Sequence, residues 1–200
     1  MVIRESIVLS SKKKQILQAA FALFTEKGFK ATTTKEIALK CGVAEGLIFY
    51  YFKDKEDLLK SLTREFSFIE SIREKIKELS GMDPVSALIR FGQLYTHFLS
   101  HQKSFLFFIW SPEMLQKNEV SDEVVKLIQS MTEFVEVNLQ RAVSDSVDMQ
   151  KIETAASMLL SALLTHVLVG ERISVHSTSE NETYINTVVN LVLNGLKASS

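Results

Sequence analysis

Between Lys40 and Lys55 the chain reads KCGVAEGLIFYYFKDK, with Phe49, Tyr50, Tyr51 and Phe52 in a row, just after a glycine and between lysines. Only helix positions i, i+3 and i+4 share a face, so four consecutive aromatics cannot all enter one core. At least one or two must point outward, and an outward ring beside positive charge calls for a partner. Elsewhere, residue types that could do chemistry are sparse. His97 and His101 stand at i, i+4, but no carboxylate or thiol cluster accompanies them, so neither a metal nor a cofactor is expected. Cys41 is the sole cysteine and falls on a short segment that looks packed, a poor setting for a redox switch. There is no Ser/His/Asp arrangement, no carboxylate pair in an apolar setting and no glycine-rich phosphate loop. No catalytic residue is assigned, and an enzyme is not expected.

The elements that must position the aromatics are helices. No useful stretch alternates with period two, and two prolines and seven glycines in 200 residues imply few, long elements. The class is all-α, with about nine helices. SKKKQILQAAFALFTEKGF reads as an amphipathic helix ending at Gly28. A short helix then opens at Thr33, which with Glu36 makes a capping-box pattern, and ends at Gly42. A second short helix runs from about Ala44 or Glu45 to Phe52, and a long one from Asp54 to about Leu79 or Ser80. After the boundary SGMDP, five more are read: Pro84 to His101, the SFLFFIW segment, Ser121 to Ala142, Met149 to Arg172, and Asn181 to Gly195.

Charge divides the chain. Residues 1–60 carry 11 Lys/Arg against 7 Asp/Glu, a net +4, and the remainder 12 against 17, a net −5. The apolar windows are short or interrupted by Ser, Thr and His, so no membrane span is expected. The first residues lack the ordered regions of a signal peptide. With a single cysteine, a reducing, cytoplasmic setting is the simplest expectation.

Thr34 to Phe52 has a definite form: a short helix, a turn at Cys41–Gly42–Val43, and a second short helix. Steep crossing needs a small residue at the contact, Ala38, and a turn residue tolerant of positive φ, Gly42; Ile37, Val43, Ile48 and Phe52 supply the joint. This is the spacing of a helix-turn-helix. AAFALFTEKGFKATTTKEIALKCGVAEGLIFYYFKDKEDLL resembles the N-terminal region of the TetR (tetracycline-repressor) family of bacterial transcriptional regulators. The likeness includes Gly28-Phe29, Thr33-Thr34, Glu36-Ile37-Ala38, Gly42-Val43, Tyr51-Phe52, Lys55 and Leu58-Leu59. It covers about the first third; the rest is similar only in length, helical content and order.

The resemblance implies that the second short helix enters the major groove of double-stranded DNA. With Ile48 and Phe52 inward, Glu45, Gly46, Phe49, Tyr50 and Lys53 would line the opposite face. Rings there can touch thymine methyls and pack on sugars, while tyrosine hydroxyls can donate to phosphate. Tyr51 would sit at the rim; Thr33, Thr34, Lys35 and Lys55 would contact the backbone. Some positions depart from the family pattern: Ala44 cannot cap, Glu45 and Leu47 replace polar or basic types, and Phe49 lacks a hydroxyl.

For the acidic remainder, residues 54–80 are expected as a connecting helix and 81–200 as a ligand-binding and dimerisation domain following a DNA-binding domain at 1–53. Apolar width in the last two helices points to a four-helix homodimer interface through Leu163, Val167, Tyr184, Val188, Leu191 and Val192. Tyr95, Phe98, Phe105, Phe108, Trp110, Met114, Phe134 and His166 are candidates for a cavity holding a small apolar effector. The implied function is a ligand-responsive repressor at a palindromic operator. The alternative is a dimeric sensor of an apolar molecule without sequence-specific DNA binding.

Overall fold

A computed structural model describes residues 2–66, 69–143, 146–173 and 178–198. All described regular structure is helical: α1 Val2–Lys27, α2 Thr34–Cys41, α3 Glu45–Tyr51, α4 Lys55–Phe66, α5 Ile69–Leu79, α6 Pro84–His101, α7 Lys103–Ile109, α8 Pro112–Leu115, α9 Asn118–Ala142, α10 Met149–Ile173 and α11 Thr178–Ala198. The all-α expectation holds. The count exceeds the nine expected because α8 is an extra turn, opened by Pro112 and capped by the Ser111 hydroxyl, and because the 54–80 stretch is described as α4 and α5. What joins those two lies outside the described residues. Ser121 and Asn181 do not open helices; α9 and α11 each begin three residues earlier, and Gly195 lies inside α11.

The chain packs into two compact units. The first is Met1–Ser67 with Ser104–Val124, and the second is Phe68–Lys103 with Val125–Ser200. Residues 104–124 thus group with the N-terminal helices, not with the 81–200 division expected from sequence.

In the first unit α1 packs on α2 and α4, and α2 on α3. Ile16, Ala20, Phe24, Ile37, Ile48, Phe52, Leu58, Leu59 and Leu62 form its core. Phe105 and Phe108 of α7 join it by ring contacts with Phe21 at 6.2 and 5.9 Å, and Phe108 also stacks on Phe24 at 6.1 Å.

In the second unit α6 packs on α5, α10 and α11, and α10 also packs on α11. Gly92 is where α6 meets α11: a Cβ built there would lie 2.7 Å from Ile185 Cγ2, so only glycine allows the approach. Phe91 stacks on Tyr95 at 6.0 Å and meets Phe134 at 5.1 Å. Contrary to the expectation, one segment, Met149–Val169, is long and apolar enough to cross a membrane by length and composition, with mean hydropathy 1.6. It lies along α6 and α11, burying Ile152, Ala156, Leu159 and Leu163.

Candidate nucleic-acid interface

The helix-turn-helix forms for local reasons. Thr33 is extended at φ −106° and caps α2: its hydroxyl accepts from the Glu36 amide at 3.2 Å, and the Glu36 carboxylate accepts from the Thr33 amide at 2.8 Å. The Lys27 ammonium bonds the same carboxylate, and together these donors hold its pKa down at about 2. At the other end Gly42 adopts φ +66°, a left-handed geometry that ends α2 and lets the Val43 amide bond the Ala38 carbonyl at 3.0 Å. Ala38 is buried at the crossing, and Ile48 and Phe52 close the joint. Ala44 makes no side-chain cap at the start of α3, as its methyl dictates.

That arrangement leaves one face of α3 open. Tyr50 is 69% exposed and Phe49 53%, Gly46 and Lys53 are exposed, and nothing lies within 4 Å of a Cβ built on Gly46. Tyr50 and Tyr51 meet edge to face at 5.1 Å. Tyr51 and Leu47 are half-buried, Tyr51 enough for desolvation to raise its phenol pKa. The exposed Lys35 and Lys53 find no partner for their ammonium groups among the described residues.

Three of the expected contacts have another position. Glu45 does not join the opposite face; it turns toward α2, where its Oε1 accepts from the Thr34 hydroxyl at 2.6 Å. Helical geometry explains this, since Glu45 lies one turn before Ile48 and so shares the inward side. The Thr33 hydroxyl is occupied by its capping box. Lys55 does not reach outward: its Nζ donates to the Phe29 and Thr32 carbonyls, both at 2.9 Å, and lies 4.5 Å from the centre of the Phe29 ring.

Sequence reasoning missed the residues that fix this loop from the other side. The Glu113 carboxylate accepts from the Phe29 amide at 3.0 Å and the Lys30 amide at 2.8 Å. Away from the loop, α4 is held by Arg64 pairing with the buried Glu123 at 3.3 Å and by Glu56 pairing with Lys117 at 3.4 Å. Nothing local in the sequence marks Glu113, which lies 84 positions from Phe29.

The expected effector set divides between the two units. Phe105, Phe108 and Met114 are core of the first unit, and Trp110 is exposed. Tyr95, Phe98 and Phe134 are core of the second, where burial pushes the Tyr95 phenol up to about 12. His166 is half-buried, its Nε2–H donates to Asn181 Oδ1 at 2.7 Å, and its ring stacks on Tyr184 at 3.8 Å. Each aromatic cluster contributes to the core of its own unit. The second unit does hold a groove of about 460 Å³ bordered by Arg90, His97, His101, Asn181 and Glu182, with Leu94 and Ile185 also in its lining. No group of three or more His, Cys, Asp or Glu among the described residues could hold a metal.

The expected dimer set needs a similar correction. Leu163 is 0% exposed and Val167 is buried, both inside the chain's own second unit. The outward stripe of α10 is set differently, through Met158, Thr165 and Val169. On α11 Leu191 is exposed, and Tyr184, Val188 and Val192 are half-buried. A groove of about 530 Å³ lies between Met158, Leu191, Val192 and Gly195.

Residues 16–62 match the family described as bacterial regulatory proteins, tetR family. The uncharacterized HTH-type transcriptional regulator YvkB of Bacillus subtilis (strain 168) is 37% identical over 123 residues, covering 61% of this chain and 62% of that protein. The fatty acid metabolism regulator protein of the same organism is 41% identical over 80 residues, covering 39% of this chain and 41% of that protein. The chain thus spans less than two thirds of the length of these relatives. Among solved structures, a transcriptional regulator FadR from Bacillus subtilis in complex with stearoyl-CoA is similar in fold. It has a TM-score of 0.64 at 21% identity, covering 91% of this chain and 98% of the other.

Proposed function

We propose that this chain, whose residues 16–62 match the tetR family of bacterial regulatory proteins, is a DNA-binding transcriptional regulator that acts as an effector-released repressor. The observation that carries the reading is the open face of α3. Two large rings stand in solvent beside unpaired lysines, on a helix whose other side is locked by Ala38, Ile48 and Phe52. A monomeric globule gains nothing from exposing Phe49 and Tyr50; a helix laid in the major groove does.

The working unit is a homodimer. Its support is the stripe on α10 and α11: Met158 is 61% exposed and Leu191 66%, on helices whose opposite sides are packed. Two-fold pairing there would present two α3 helices to successive turns of a palindromic site, about 34–36 Å apart.

The effector is an apolar small molecule. Stearoyl-CoA, bound by the structurally similar regulator and apolar in its acyl chain though charged at its head, is the first compound to try, and the fatty acid metabolism regulator among the relatives points the same way. Release requires that the effector bind the DNA-incompetent state more tightly.

Mobility shift of the full chain on its own upstream region tests the reading. Salt-sensitive, sequence-preferring binding that is relieved by stearoyl-CoA supports it in full. Binding without relief removes the effector alone, and no sequence preference at any salt concentration removes the regulator.

A further inference from the structure

The exposed face of α3 is unusual in what it lacks. The helix EGLIFYY carries no arginine, lysine, asparagine or glutamine, and Lys53 lies past its last turn. Arginine and lysine are the side chains that pair with guanine O6 and N7 in the major groove, and asparagine and glutamine those that pair with adenine N6 and N7. The face instead offers two rings, Phe49 and Tyr50, and open space above Gly46 where no side chain holds the duplex away. The apolar feature on a major-groove base edge is the thymine C5-methyl group. Lys35 and Lys53 complement the phosphates, which position a helix without reading sequence. Glu45 is the remaining polar side chain of α3 besides the tyrosine hydroxyls. It turns inward, where one of its oxygens is held by Thr34, and so gives the open face no donor for guanine's accepting edge.

Resting on the DNA-binding reading above, we propose that this protein selects its site through thymine methyl groups packed on Phe49 and Tyr50, and not through hydrogen bonds to guanine. The selectivity is for methyl-bearing base edges.

The test uses the full-length chain. Duplexes selected from a randomised pool define the preferred site. Matched duplexes then carry deoxyuridine for thymine, which removes only the methyl, or 7-deazaguanine for guanine, which removes only N7. The expected result is a roughly three- to fivefold weaker Kd for each contacted methyl removed, the effect of one buried methyl, with 7-deazaguanine silent. Phe49→Ala and Tyr50→Ala, at exposed positions where folding is not at stake, should each abolish part of the uracil effect. Unchanged affinity on uracil duplexes, or a comparable loss with 7-deazaguanine, overturns the proposal while the preferred site itself still upholds DNA binding. Selection of no preferred sequence overturns both.

Discussion

The loop from Phe29 to Thr32, which leads into the α2 cap, is gripped from two sides. The Lys55 ammonium takes its carbonyls and the Glu113 carboxylate its amides. Glu113→Ala would remove two charge-assisted bonds of 2.8 and 3.0 Å. Bonds to charged groups contribute about 1.5–3 kcal/mol each, but the Lys30 amide is at the surface and the Phe29 amide only part-buried, so water can replace part of the loss and a net cost of about 2–3 kcal/mol is expected. In a chain of this size 1 kcal/mol lowers Tm by roughly 2–4 °C, giving a fall of roughly 4–12 °C. Lys55→Met, which keeps an apolar stem over Phe29 but strands the carbonyls, should cost about as much. Because both groups hold the same loop, the double variant should lose less than the two single losses combined, by about 0.5–3 kcal/mol. Urea unfolding followed by fluorescence of Trp110, the sole tryptophan and a residue of the first unit, is the assay. A Glu113→Ala midpoint indistinguishable from the parent would refute the grip, and additive losses would refute its sharing.

Gly42→Ala should destabilise the first unit by about 1–2 kcal/mol, the cost of a side chain in left-handed backbone, since nothing lies within 4 Å to add a clash; Gly42→Asn should cost less, by the same urea assay. Ala44→Ser supplies the missing cap of α3 and should raise stability by about 1 kcal/mol. Glu36, depressed from 4.5 to about 2, contributes stability that is fully present above pH 4.5 and lost as pH falls toward 2; Glu36→Gln should flatten acid unfolding over that window. Leu191→Glu should shift the sedimentation coefficient from dimer to monomer with the helical circular dichroism intact, whereas Leu163→Glu should unfold the second unit.

The parts legible in the sequence were those fixed by neighbours a few residues apart. Thr33 and Glu36 sit three positions apart in a capping box, Gly42 stands where α2 must end, and Ile48 and Phe52 mark the inward side of α3 by their spacing. That was enough to leave Phe49 and Tyr50 outside. What failed required knowing which surface an apolar face meets. Phe105 and Tyr95 are equally aromatic and equally buried, and only the three-dimensional packing assigns one to each unit. Leu163 and Met158 both lie on an apolar helix, but the close approach of α6 at Gly92 turns Leu163 inward, to 3.5 Å from where a Gly92 Cβ would stand. Lys55 looked like a phosphate ligand because three carbonyls between Phe29 and Thr32, more than twenty positions away, were invisible to a reading along the chain.

The direct test of the open α3 face is the Kd of the Phe49→Ala/Tyr50→Ala double variant for the selected duplex and for a scrambled one, at a single fixed salt concentration. If that face reads DNA, preference for the selected duplex collapses while the weak, lysine-driven affinity for the scrambled duplex survives. A double variant that still prefers the selected duplex as strongly as the parent would contradict it.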